Sequence, residues 1–161
     1  MITNYKSMLQ KEKIANMDDL APLIIEAIDN QCDVKLTVTG NSMYPLFRNG
    51  IDCVVLTKIG RISKYDIPLY KRKNGTYVLH RIVKIKNGIL YLAGDYETRI
   101  EHPIYPSQLI ANTKGFYRNG AYISCNQFWY KIYSYLWVVM IPYRKKIIRW
   151  FKGIRRKLRA K

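Results

Sequence analysis

Residues 76–97 read TYVLHRIVKIKNGILYLAGDYE. Two runs rich in Val, Ile, Leu and Tyr flank Asn87-Gly88, a pair suited to the positive φ angles of a tight hairpin turn. The same grammar recurs outward, in VKLTVTG at 34–40, IDCVVL at 51–56 and QLIANTKGFYR at 108–118, with Asn-Gly pairs again at 49–50, 74–75 and 119–120. The expected fold is a single, mainly β domain, and period and turns fit a barrel and a sandwich equally. No internal repeat interrupts it.

Outside this block the pattern changes. Asp18 is expected to cap a short amphipathic helix whose apolar positions Leu20, Leu23, Ile24, Ala27 and Ile28 recur at helical spacing, with Pro22 in its first turn. The expected organisation is an N-terminal helical segment at 1–33, a β domain at 34–124 and a C-terminal helical tail at 125–161. From Phe128 to Ile141 the tail is apolar apart from Lys131, shorter than the roughly 20 residues that cross a bilayer. Beyond Pro142, residues Ile147, Phe151, Ile154 and Leu158 form one stripe among Lys and Arg, as in a helix lying in an anionic interface.

Composition sets the limits. In 161 residues, 48% hydrophobic and 13% aromatic content exclude a disordered chain. The formal charge of +17 is unevenly placed: residues 143–161 hold ten Lys or Arg and no acid, which leaves +7 for the rest. Both lipid and nucleic-acid phosphates attract such a tail. The continuous apolar run and Trp129, Trp137 and Trp150 favour an anionic membrane surface, bound through residues 128–161, over nucleic acid. The N-terminus has no uninterrupted apolar run of a signal peptide, and the cations point to the cytoplasmic face. Cys32, Cys53 and Cys125 have neither disulfide-framework nor zinc-ligand spacing, so buried free thiols are expected and no metal or cofactor is implied.

The chemical candidate lies in TGNSMYPLFRNG at 39–50. Gly40 and Asn41 permit a tight turn with free amides before Ser42, as a nucleophile with an oxyanion donor requires; a serine alone in such a turn is more often a turn hydroxyl. His80 is either a base or a strand-face histidine satisfied by a hydrogen bond, with Lys71, Lys73 and Lys84 as fallback bases.

Taken in order, GNSMYP (40–45), YDIPLY (65–70), YVLHRIVKI (77–85) and LAGDYE (92–97) resemble the boxes of the type I signal peptidase superfamily of serine endopeptidases, over about residues 34–118. Bacterial members normally carry a lysine base in the third box; His80-Arg81-Ile82 matches the histidine branch. The resemblance implies a signal-peptidase-like β domain with Ser42 as nucleophile, His80 as base and an acidic helper. Asp95 fills the family's Gly-Asp, while Glu101 stands where histidine-type members place a catalytic Asp; Asp95 can instead secure the loop beneath the site, and Glu97 can be a solvated charge. Met43 and Pro45 match residues that floor the site for an extended peptide, or are core. Some members place a hydroxyl two residues before the nucleophile; Gly40 stands there, so the Ser42 amide needs another donor, with Thr39 and Asn41 as candidates. The expected substrate is a precursor or leader peptide cleaved at small residues. The usual membrane span before the serine box has no counterpart in the first 41 residues.

Two other readings explain part of the chain. A self-cleaving regulator shares this β domain but carries a DNA-binding helical domain before it, for which residues 1–33 are too few. A non-enzymatic β module binding membrane or nucleic acid through its tail leaves the ordered boxes unexplained.

Overall fold

The computed structural model describes residues 16–144 together with 146 and 149. The stripe at Ile147, Phe151, Ile154 and Leu158 lies outside the described residues. The protein is mainly β, with one α-helix before the strands and one after them among the described residues. Helix α1 (Met17–Asp29) is capped by Asn16, whose side chain accepts from the Asp18 amide, so the cap lies two residues before the expected Asp18. Ala21, Ile24 and Ile28 are buried, whereas Leu23 faces solvent. Its acidic first turn, Asp18 and Asp19, suits the helix dipole.

Among the described residues nine strands follow, all paired antiparallel. β1 (Val34–Thr37), β2 (Cys53–Thr57), β8 (Leu109–Arg118), β3 (Pro68–Lys71) and β4 (Tyr77–Leu79) form the larger sheet in that order, with β9 (Ala121–Ser124) also on β8. β5 (Arg81–Lys86), β6 (Ile89–Ala93) and β7 (Glu101–Ile104) form the smaller one. Two of the four Asn-Gly pairs behave as expected: Asn87-Gly88 closes β5–β6 and Asn119-Gly120 closes β8–β9, all four residues at positive φ, whereas at 49–50 and 74–75 only the glycine is.

TYVLHRIVKI is not the single strand its pattern predicts. The chain leaves the larger sheet at Leu79 and enters the smaller at Arg81, and His80 is the residue between. In β5, Arg81, Ile82 and Val83 are all buried, because a bulge at Val83 interrupts alternation and helix α2 (Phe128–Val139) covers part of the strand. Two cores result. Ile24, Ile28, Met43, Phe47, Val54 and Phe116 belong to the first, against the larger sheet; Tyr70, Ile82, Leu90, Leu92 and Ile104 form the second. The histidine stands where the two meet.

Among the cysteines, all free, Cys32 is exposed, contrary to the expected burial, and Cys53 and Cys125 are half-buried. The tail does not begin as a separate segment at 125: Tyr130 enters the first core, and Ser134 and Arg144 are buried against the β domain.

Candidate active site

Ser42 stands in the loop between β1 and β2, a segment fixed by charge as well as by packing. Met43, Leu46 and Phe47 anchor it in the first core. Asp52, fully buried, accepts from the Arg48 amide (2.9 Å) and guanidinium Nε (3.0 Å), and Arg118 donates to the Pro45 (2.6 Å) and Leu46 (2.9 Å) carbonyls. Burial pushes the Asp52 carboxyl upward, but the Arg48 hydrogen bonds win and hold it below the usual range. Gly40, at φ +88°, supplies the left-handed turn just before the serine. Met43 is therefore core; Pro45 is half-buried, and Thr39 and Asn41 are exposed.

His80 is buried at 1% exposure, and each ring nitrogen has its own surroundings. Nδ1 lies 3.3 Å from Tyr70 Oη and 3.3 Å from Glu101 Oε1. The Tyr70 hydroxyl donates to Glu101 Oε2 (3.0 Å), so it presents a lone pair to the ring, as the carboxylate does. Two acceptors at Nδ1 place the ring proton there and leave Nε2 as a bare lone pair. Glu101 is in turn held by the Arg72 guanidinium, whose Nε donates at 2.8 Å and whose Nη2 pairs with Oε1. Burial pushes the Glu101 carboxyl upward, but the bonds from Arg72 and Tyr70 hold it below its ordinary value.

Burial dominates His80 itself, lowering its pKa from 6.5 to about 4 against the opposing pull of Glu101. The imidazole is thus neutral at pH 7, the form a general base needs.

On the other side, Nε2 faces the loop after β6. A methyl placed on Gly94 would stand 2.5 Å from the Ser42 carbonyl oxygen, 3.1 Å from His80 Nε2 and 3.2 Å from Glu97 Cδ. The Ser42 backbone carbonyl, the imidazole and the loop thus converge on one point. The Tyr96 amide donates to the Ser42 carbonyl (2.7 Å), tying the serine turn to this loop. Glu97 Oε2 lies 3.8 Å from Nε2, which makes it a neighbour of the ring rather than a remote solvated charge. No hydrogen bond joins Ser42 Oγ to His80 among the described residues.

The two acids therefore occupy different places. Glu101 stands on the imidazole. Asp95, fully buried, forms a two-pronged ion pair with Arg81, Nε to Oδ1 at 2.9 Å and Nη2 to Oδ2 at 2.8 Å, and secures the loop. The fallback bases stay at the surface: Lys71 and Lys84 lie over the Tyr77 and Tyr91 rings, and Lys73 is exposed. Sequence reasoning missed Tyr70 and Arg72 and gave Glu97 only as a solvated charge. Tyr70 was visible as the end of YDIPLY; nothing in the pattern singled out Arg72.

His80, Glu97 and Glu101 each offer a ligand atom within 4.8 Å of the others, so these three are where a divalent cation would bind. Arg72 and Tyr70 already engage Glu101 and oppose it. A cavity of about 610 Å³ lies elsewhere, lined by residues such as Arg61, Tyr65, Asp66 and Lys131, and includes neither Ser42 nor His80. Among known proteins, the chain matches no family model and no curated protein.

Proposed function

We propose that this chain is a membrane-associated serine endopeptidase of the signal peptidase type, cleaving an extended precursor or leader peptide. The observation that carries the reading is the convergence of the Ser42 turn and His80 Nε2 at Gly94, with Glu101 on the opposite ring nitrogen. Ser42 Oγ attacks the scissile carbonyl while His80 Nε2 takes its proton; Glu101, held by Arg72 and Tyr70, stabilises the imidazolium. In this reading the Ser42 amide serves as an oxyanion donor. His80 then returns the proton to the leaving amine, and water releases the acyl group from Ser42 by the same route. For attack, the serine hydroxyl closes on Nε2 and the partly exposed Glu97 carboxylate beside it gives way, a tightening common when substrate binds.

A fluorophosphonate probe tests this directly. One adduct is expected, at Ser42, absent from Ser42→Ala and much slower in His80→Gln. Wild-type protein that takes up no probe, or takes it up at another serine, contradicts the reading.

Attachment to an anionic membrane is the second part of the proposal. No helix among the described residues is long and apolar enough to cross a membrane. Helix α2 instead presents Phe128 (69% exposed), Trp129 (77% exposed), Leu136 and Val139 on its outer side. Such a face suits a helix lying at the lipid surface, with the basic residues beyond it at the headgroups. Leu136→Asp is expected to weaken binding to phosphatidylglycerol vesicles by about tenfold or more, since burying a leucine contributes roughly 1.5–3 kcal/mol. Co-sedimentation equal to wild type would remove α2 from the interface.

A further inference from the structure

Helix α2 is built inside out. Its outer side carries Phe128, Trp129, Leu136 and Val139, while its inner side carries hydrogen-bonding groups that all find partners on the β domain. Ser134 Oγ accepts from Arg81 Nη1 (2.8 Å), and the Tyr133 hydroxyl donates to Asp95 Oδ2 (3.4 Å). Trp137 Nε1 donates to the Asp95 carbonyl (3.0 Å). Just past the helix, Arg144 Nη1 donates to the Gly94 (2.9 Å) and Glu97 (3.2 Å) carbonyls, and Nη2 to the Trp137 carbonyl (2.8 Å).

Four of these six bonds fall on one short stretch, residues 94, 95 and 97. Its opposite side is the surface against which Ser42 and His80 Nε2 rest. The cost of the arrangement is informative. Arg144 is 1% exposed and has no ion-pair partner among the described residues, only carbonyl oxygens and the Trp137 ring. A buried cation bonded only to neutral groups is expensive, and an apolar side chain would fill the place at less cost. What the guanidinium adds is four aimed hydrogen bonds, two from Nη1 to the loop carbonyls and two, from Nε and Nη2, to the Trp137 carbonyl.

We infer that α2 and the turn after it clamp the Gly94–Glu97 loop against Ser42 and His80, which makes Trp137 and Arg144 positioning residues of the proposed peptidase. The inference rests on that reading for its link to catalysis, while the clamp itself is separately measurable. The tail is then not a detachable anchor: one helix holds the lipid-facing stripe and, on its other side, the catalytic loop. A loop loosened by a fraction of an ångström lets water reach His80 and misplaces the base relative to the serine.

Full-length Trp137→Phe, which keeps the ring and removes the donor, and Arg144→Gln test this, with Arg144→Lys as the conservative variant. Peptide cleavage should lose about 10- to 100-fold in kcat with KM nearly unchanged, and Arg144→Lys should recover part of it. In parallel, the His80 Cε1–H signal, followed by NMR titration, should move its midpoint from about 4 toward 6.5 in Trp137→Phe and Arg144→Gln. A folded Trp137→Phe protein with wild-type kcat and an unmoved His80 midpoint overturns the clamp, even if Arg144→Gln fails to fold. An inactive wild type whose His80 midpoint still moves in the variants refutes the peptidase reading and upholds the clamp.

Discussion

Precursor cleavage by His80→Ala is expected to fall on the order of 10⁴-fold below wild type, with KM little changed. In the proposed mechanism the imidazole takes the Ser42 proton and returns it to the leaving amine, and the lysines considered as fallbacks lie at the surface. Ser42→Ala should cost as much, and the double variant no more than either, because the two groups act as one unit. The wild-type pH profile follows from the same ring. With the folded-state pKa lowered to about 4, kcat/KM should hold from neutrality downward and drop with a one-proton slope near pH 4. Stability has the matching sign. Between pH 6.5 and about 4 the unfolded chain binds a proton at His80 that the folded chain refuses, so stability falls as pH falls through that window, by about 1.4 kcal/mol per pH unit. Urea titrations of His80→Ala should show that part of the slope removed. A variant that cleaves at more than a tenth of the wild-type rate would rule out the imidazole as the base.

Much of the fold is local chemistry and could be read as such. Asn87-Gly88 and Asn119-Gly120 can adopt positive φ at little cost, so the hairpins follow from the dipeptides themselves. Strands β3 and β7 escaped because Pro68 opens one and Pro103 sits within the other; a proline is tolerated at a strand's first residue or on an edge strand, and β7 is the edge of its sheet. The break at His80 is invisible for a different reason. TYVLHRIVKI satisfies strand periodicity throughout, and only the partners of its two halves, β3 for one and β6 for the other, divide it. Helix α2 misled by composition: FWYKIYSYLWVV counts as apolar nearly all round, yet Tyr133 and Trp137 spend their polar atoms on Asp95.

At the site, local reading reached a limit set by pairing. Ser42 and His80 followed from box order, and Glu101 from its distance after the Gly-Asp. Their support did not. Arg72 and Glu101 are far apart in the chain and meet only because β3 and β7 lie at the junction of the sheets. Arg81 follows His80 directly and looks like one more surface cation in a basic chain, but it is fully buried on Asp95. That pair explains why the Gly-Asp is followed by a well-held turn: the aspartate draws the loop toward β5 while the glycine lets it approach the serine.

Gly94→Ala should therefore damage cleavage far more than it damages stability. Gly94 does not sit in the left-handed region, so backbone strain is not the reason for a glycine; space is. The added carbon would be 2.5 Å from the Ser42 carbonyl oxygen, a contact real Cβ atoms do not make, and that oxygen is fixed by the Tyr96 amide at 2.7 Å. On the far side Arg144 holds the Gly94 carbonyl at 2.9 Å, so the loop cannot simply retreat. Relief must come from the serine turn, the imidazole or the loop, and each shift opens the distance between Ser42 and His80. Overpacking of this kind costs typically 1–3 kcal/mol of stability, while the displacement should lower cleavage by at least 100-fold. The signature is the disproportion: thermal unfolding lowered by several degrees but cooperative, with fluorophosphonate labelling of Ser42 nearly lost. Wild-type labelling by Gly94→Ala would mean that the three elements do not meet at this glycine, and the proposed dyad would fall with it.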